Sequence, residues 1–217
     1  MPFACRTVLA STLLWMASMF LSGAAHAAPG ILVFGDSLSA AYGLAERRGW
    51  VALLGERLRQ EQLDYSVVNA SISGETTAGG RARLGKLLAQ QRPAVLILEL
   101  GGNDGLRGLP VAEMKKNLAA MIGAAQKAGA RVLLLGMRMP PNYGEAYAHA
   151  FEAVFSDLAK QHRTAFVPEL TAGIGERLEY FQADRIHPNE AAQPLLLANV
   201  WQALRPLLKA GATAKRR

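Results

Sequence analysis

Ile31-Leu32-Val33-Phe34-Gly35-Asp36-Ser37-Leu38-Ser39 sets an unbroken apolar run directly before a Gly-Asp-Ser turn. Four consecutive apolar residues closed by a glycine read as a buried strand. A helical pattern follows, so the Ser37 hydroxyl falls at the carboxyl edge of a sheet, where open α/β folds bind their ligands. A serine at such a place also suits a helix N-cap, because its oxygen accepts from the first free N–H groups of a helix. On this stretch alone both readings stand.

Outward from it the pattern alternates. Trp50, Leu53, Leu54 and Leu58 recur at helical spacing, and Tyr65-Ser66-Val67-Val68-Asn69 reads as a second strand closed by Ala70-Ser71-Ile72-Ser73-Gly74. Leu84, Leu87 and Leu88 mark the next helix, and Pro93 separates it from the run Ala94 to Leu100. That third strand hardly alternates, as expected of a central parallel strand covered on both faces. It closes in Gly101-Gly102-Asn103-Asp104-Gly105. Val111, Met114, Leu118, Met121, Ile122 and Ala125 form a helix that stops near Gly129, and Arg131 to Gly136 gives a fourth strand. Tyr147, Phe151, Val154, Phe155 and Leu158 form a further helix before a short strand at Ala165-Phe166-Val167. Leu196, Val200, Leu204 and Leu207 belong to the last helix. Strands alternating with helices of this length predict a parallel sheet with helices on both faces, a three-layer α/β/α sandwich.

With 217 residues, 51% of them hydrophobic, the chain can bury a full core as one domain. Arg6, the apolar stretch Thr7 to Leu21 and Ala25-His26-Ala27 form the n-region, h-region and A-x-A site of a signal peptide. Residues 1–27 are therefore expected to be removed; an uncleaved anchor helix is the alternative. The single domain is expected over 28–209, with a basic tail over 210–217. Cys5 is the only cysteine and lies in the leader. The mature chain then has no disulfide, thiol nucleophile or cysteine metal site, which suits an exported, periplasmic or secreted protein. The formal charge of +7 draws on Arg6 and on Lys209, Lys215, Arg216 and Arg217 near the C-terminus. The body is close to balanced, so the charge argues only weakly for a nucleic-acid partner.

Four polar stretches follow strands or precede the last helix: Ser37, Gly74, Asn103 and Asp184-Arg185-Ile186-His187-Pro188. The strand-end loops of a parallel sheet open on one edge, so distant segments can meet there. Acyl transfer needs a nucleophile, a base, an orienting carboxylate and donors for an oxyanion. His26 leaves with the signal, and His149 and His162 sit on or at the end of a helix, which leaves His187 as the base. Asp184, three residues earlier, can hold the Nδ1 proton and turn Nε2 towards Ser37. Taken alone, Asp-x-x-His is more often a surface pattern. Asn103 can donate its side-chain amide and Gly74 its N–H to the oxyanion, although Gly-Gly-Asn-Asp-Gly is equally a simple turn. No P-loop, dinucleotide fingerprint, H-E-x-x-H or calcium-loop pattern is present, and no metal or cofactor is expected.

Gly35-Asp-Ser-Leu-Ser39, Gly74 within Asn69-Ala-Ser-Ile-Ser-Gly74, Gly102-Asn103-Asp104 and Asp184-x-x-His187-Pro188 resemble, in order and spacing, the four blocks of the GDSL or SGNH hydrolases. Val68 to Gly74, Glu99 to Gly108 and Pro141-Asn142-Tyr143-Gly144 are similar to the periplasmic bacterial thioesterase I/lysophospholipase branch. The resemblance runs from about Ile31 to Leu208. It implies a flavodoxin-like sheet in the order 2-1-3-4-5 and hydrolysis of acyl esters and thioesters, with arylesters as artificial substrates. It implies Ser37 as nucleophile, His187 as base, Asp184 as its partner, and an oxyanion hole from Ser37 N–H, Gly74 N–H and Asn103. Leu106, Leu109, Pro141, Asn142 and Tyr143 are candidates for an acyl groove, or else ordinary packing. Arg185 stands where that family usually has glycine. Its side chain either meets anionic leaving groups or points into water, or pairs with Glu190. The rival readings are a carbohydrate O-deacetylase on the same scaffold and a catalytically silent flavodoxin-like binding module. The expected partners are small-molecule acyl ester or thioester substrates, with no nucleic acid, no stable membrane anchor after signal cleavage, and a monomeric state.

Overall fold

A five-stranded parallel sheet forms the centre of the computed structural model, which describes residues 28–175 and 177–213. The strands are β1 (Gly30–Gly35), β2 (Ser66–Asn69), β3 (Val95–Glu99), β4 (Arg131–Leu135) and β5 (Ala165–Val167). Their order is β2-β1-β3-β4-β5, as the family resemblance implies, and every neighbouring pair is parallel. The helices are α1 (Trp50–Gln60), α2 (Thr77–Gln91), α3 (Gly102–Leu106), α4 (Val111–Lys127), α5 (Glu145–His162) and α6 (Gln193–Thr213).

The two faces of the sheet follow from the side-chain alternation of the strands. Ile31 and Val33, Val95 and Ile97, and Leu133 and Leu135 pack with Trp50, Leu54, Leu196, Val200 and Leu204 of α1 and α6. Leu32 and Phe34, Leu96 and Leu98, and Val132 and Leu134 pack with α2, α4 and α5 through Leu84, Leu118, Met121, Phe151 and Phe155. Every residue of β3 is buried, which is why its sequence shows no alternation: both faces are covered. The result is a three-layer sandwich.

Beyond β1 the chain passes to β2 on one side and, later, to β3 on the other. The loops after β1 and β3 therefore leave the sheet at the point where the strand order reverses, the position at which such sheets open a crevice. The helix read from Trp50, Leu53, Leu54 and Leu58 is α1, which begins at Trp50, and residues 37–43 between it and β1 form turns. The glycine-rich run after β3 is more than a simple turn, because Gly102–Leu106 is a short helix. The leader expected over residues 1–27 lies outside the described residues. α6 continues to Thr213, past the expected boundary at 209/210, and the rest of the tail lies outside the described residues.

Gly80 shows how closely α2 approaches the sheet. A Cβ there would lie 2.5 Å from Leu100 Cδ1 and 3.2 Å from Phe34 Cε1, whereas a Cβ at Gly85 on the same helix meets nothing within 4 Å. Gly80→Ala is expected to destabilise the fold by about 1–3 kcal/mol through overpacking. Gly85→Ala is expected to stabilise it by roughly 0.5–1 kcal/mol through helix propensity. Urea unfolding of the two variants checks the opposite signs.

Candidate active site

Ser37 is held by contacts to its neighbours rather than by a helix. The turn after β1 closes with Ala40 N donating to Asp36 O at 2.9 Å and Tyr42 N to Ser37 O at 3.2 Å. Trp50 Nε1 donates to Leu38 O at 3.1 Å, and Asn69 Nδ2 to Ser39 O at 2.8 Å. No helix begins at Ser37, so the capping role weighed from the sequence has no helix to cap.

His187 comes from the other end of the chain. Its Nε2 lies 2.9 Å from Ser37 Oγ and its Nδ1 2.7 Å from Asp184 Oδ2. The short separation of Asp184 and His187 works because the intervening backbone turns around the carboxylate. Asp184 Oδ1 accepts from Ile186 N at 2.9 Å and His187 N at 3.0 Å, leaving Oδ2 for the ring. The backbone N–H of His187 first, then its ring and the Ile186 N–H, hold the Asp184 carboxyl down to about 2. The carboxylate is therefore charged throughout the neutral range, and it selects the tautomer with its proton on Nδ1 and a basic Nε2 facing the serine. Gln182 N donates to His187 O at 2.8 Å, and Gln182 Nε2 to Tyr42 O at 2.7 Å, which ties this loop to the serine turn. The Tyr42 ring packs on the imidazole with centroids 4.3 Å apart.

Arg185 has φ +58°. The turn needs a left-handed residue there, which accounts physically for glycine in the resembled pattern. The arginine is exposed, and the pair with Glu190 considered from the sequence is not formed; Glu190 pairs with Arg48.

Gly74 stands on a loop and Asn103 on the short helix α3, and polar side chains tie the two segments together. Gly74 has φ +79°, and its carbonyl accepts from Arg107 Nη2 at 3.0 Å. Asn103, in the first turn of α3, donates Nδ2 to Asp36 Oδ2 at 3.0 Å, while Asp36 Oδ1 accepts from Leu38 N at 3.1 Å. Buried Asp104 accepts from Thr77 N at 2.8 Å and Thr77 Oγ1 at 2.5 Å, and Asn117 Nδ2 donates to the same hydroxyl at 3.2 Å. Asp104 thus also places a carboxylate at the N-terminus of α2, where backbone N–H groups need acceptors.

The sequence reading passed over Asp36, Glu99 and Asp104. One signal was visible: Glu99 is a carboxyl at the end of an otherwise apolar strand. Of the groove candidates, Leu106 and Leu109 are each 38% exposed. Tyr143 Oη donates to Leu106 O at 3.0 Å, which brings the segment Pro141–Tyr143 against the loop after α3. Tyr147 Oη reaches Leu109 O at 3.2 Å, and Asn142 is exposed. Among the described residues no group of three or more His, Cys, Asp or Glu is placed to hold a metal ion.

Residues 33–194 match the model of the GDSL-like lipase/acylhydrolase family. The chain is 56% identical over 182 residues to esterase TesA of Pseudomonas aeruginosa, a match covering 84% of this chain and 90% of that protein. It is 39% identical over 190 residues to thioesterase 1/protease 1/lysophospholipase L1 of Escherichia coli K12, covering 88% and 90%. The crystal structure of TesA superposes with a TM-score of 0.81 at 56% identity, covering 82% of this chain and 99% of that one.

Removing the side chain at position 185 should relieve the left-handed backbone. Arg185→Gly is expected to raise stability by up to about 1 kcal/mol, the strain relieved being partly offset by the added freedom of the unfolded chain. The melting temperature measures it.

Proposed function

The chain belongs to the GDSL-like lipase/acylhydrolase family, and on that premise we propose that Ser37, His187 and Asp184 hydrolyse acyl esters and thioesters through an acyl-enzyme. The protein is a serine ester hydrolase. The observation that carries the assignment is His187 standing between Ser37 at 2.9 Å and Asp184 at 2.7 Å. Ser37 Oγ attacks the acyl carbonyl as His187 Nε2 takes its proton, and a C–O bond to the enzyme forms. The oxygen that becomes negative is met by the N–H groups of Ser37 and Gly74 and by Asn103 Nδ2. His187 returns the proton to the departing alcohol or thiol as the original acyl bond breaks. Water then repeats the sequence on the acyl-enzyme, releasing the acid and restoring the Ser37 hydroxyl. Asp184 stays ionised and stabilises the imidazolium formed in each half.

The exposed apolar side chains of Leu106 and Leu109, with Tyr143 tied beside them, favour a fatty acyl chain over a sugar acetate. The leader pattern over residues 1–27 supports export to the periplasm or beyond, and the mature chain is taken to act as a monomer on small-molecule substrates. A silent binding module has no use for a serine, imidazole and carboxylate in hydrogen-bonded series.

An organophosphonate is expected to label Ser37 and no other serine, as read by peptide mass. Ser37→Ala and His187→Ala should each remove nearly all turnover, and Asn103→Ala should lower kcat by about 10²–10³. Absence of both label and turnover would leave the binding module standing, and an effect of Asn103→Ala on KM alone would remove that residue from the oxyanion hole.

Arg185, exposed beside the base, supplies a fixed cation to an anionic leaving portion such as a phosphate head group or coenzyme A. Arg185→Gly should lower kcat/KM for an anionic thioester more than for a neutral aryl ester of equal chain length, and the difference should shrink as salt rises. An equal effect on both substrates would remove Arg185 from substrate selection.

A further inference from the structure

Glu99, the last residue of β3, is fully buried and takes no direct part in the acyl transfer described above. Its Oε2 accepts from Asp36 N at 3.1 Å and from Ser39 Oγ at 2.6 Å. Its Oε1 is buried and no donor of the described residues reaches it. The neighbouring Asp36 is arranged differently: each of its oxygens has an N–H donor, Leu38 N on Oδ1 and Asn103 Nδ2 on Oδ2. The bond from Asp36 N to Glu99 Oε2 sets the two acids side by side in the interior, and two neighbouring buried carboxyl groups favour holding one proton between them. Only Glu99 Oε1 lacks a donor, so it is the atom on which that proton fits.

We propose that Glu99 is a neutral carboxylic acid and a positioning residue of the oxyanion hole. Its proton faces Asp36, Asp36 stays a carboxylate, and that carboxylate fixes the Asn103 amide with its NH2 group forward. One Nδ2–H is then held by Asp36 and the second is left for the oxygen that becomes negative. With no acceptor at Asp36 the amide can turn over and present Oδ1, which repels an oxyanion. The inference rests on the oxyanion role of Asn103 set out above.

The electrostatics agree with the geometry. Burial, and then the charge of Asp36, push the Glu99 carboxyl well above the usual range. Burial raises Asp36 to about 6, with the Leu38 N–H and the Asn103 amide pulling the other way. Besides each other, the ionisable group acting on this pair is His187, through Asp36. Where Asp36 is charged the amide is held most firmly; acid that neutralises Asp36 weakens that hold while Glu99 stays neutral.

Glu99→Gln supplies an oxygen for Asp36 N–H and Ser39 and an N–H for the Asp36 carboxylate, with no charge. It is expected to recover most of the kcat that Glu99→Ala loses, that loss being about 10²–10³ with KM little changed, as for one missing oxyanion donor. Carbon-13 NMR of the parent at pH 7 should show one protonated glutamate carboxyl that disappears in Glu99→Gln, a readout that stands even if Glu99→Ala does not fold. An ionised Glu99 at pH 7 would overturn the proposal. So would a Glu99→Gln variant with the parent's melting temperature and the kcat of Glu99→Ala. If instead the parent's Ser37 takes no phosphonate and Asn103→Ala leaves kcat unchanged, the acyl-enzyme reading fails, not the protonation of Glu99.

Discussion

The register of β1 on β3 is the constraint on which the site depends. Gly35 stands opposite Glu99, so the strand that leads to Ser37 and the strand that leads to Asn103 end together. The approach is close enough that a Cβ on Gly35 would run into Glu99 Oε2, and it would lie 2.9 Å from both Glu99 O and Ser39 Oγ. A one-residue slip would turn Val33 and Phe34 to the wrong faces of the sheet and carry Ser37 away from the crevice. Burial of β1 and β3 on both faces makes such a slip costly, so the core that stabilises the fold also sets the geometry of the chemistry.

The two halves of the site are held by different means. The Asn103 side is built from buried groups: Asp36, Glu99 and Asp104 are all inside, and each accepts from a group on another element of the fold. A buried acceptor network of this kind is rigid because any member that moves leaves a polar group unpaired in a low-dielectric interior. The His187 side is more exposed, with 38% of the Asp184 side chain and 18% of the His187 side chain accessible. There the order comes from a local turn, closed by backbone N–H groups on Asp184 Oδ1 and by the bridge between Phe181 and Pro188. An exposed carboxylate contributes little to folding; its part is to orient one ring.

Much of this was legible from the order of residues. Strand boundaries fall within a residue of those read from the apolar runs, because a buried strand needs consecutive apolar side chains and stops at glycine or proline. His187 emerged by elimination among four histidines, and Asp184 by its three-residue spacing, because a carboxylate that close can reach the ring through a turn. The structure brings both to Ser37. The helix read from the spacing of Trp50, Leu54 and Leu58 is also where α1 stands, since those side chains are buried on one face, whereas the turn of residues 37–43 carries no periodicity from which its shape could be read.

What the sequence by itself determined is the α/β alternation and a short set of polar residues, Ser37, Asp184 and His187 among them, with the chemistry for acyl transfer, since both depend on side-chain type and short-range spacing. What only the tertiary structure decided is how those residues are held. Asp36 N donates to Glu99 from 63 positions away, Asn103 to Asp36 from 67, and His187 meets Ser37 across 150. The left-handed backbone at Arg185 and the preference of Glu190 for Arg48 likewise appear only once the loops are in place. The physical reason is that periodicity records which side of an element is buried, whereas a hydrogen bond in a buried network depends on which elements the packed sheet brings within three ångströms.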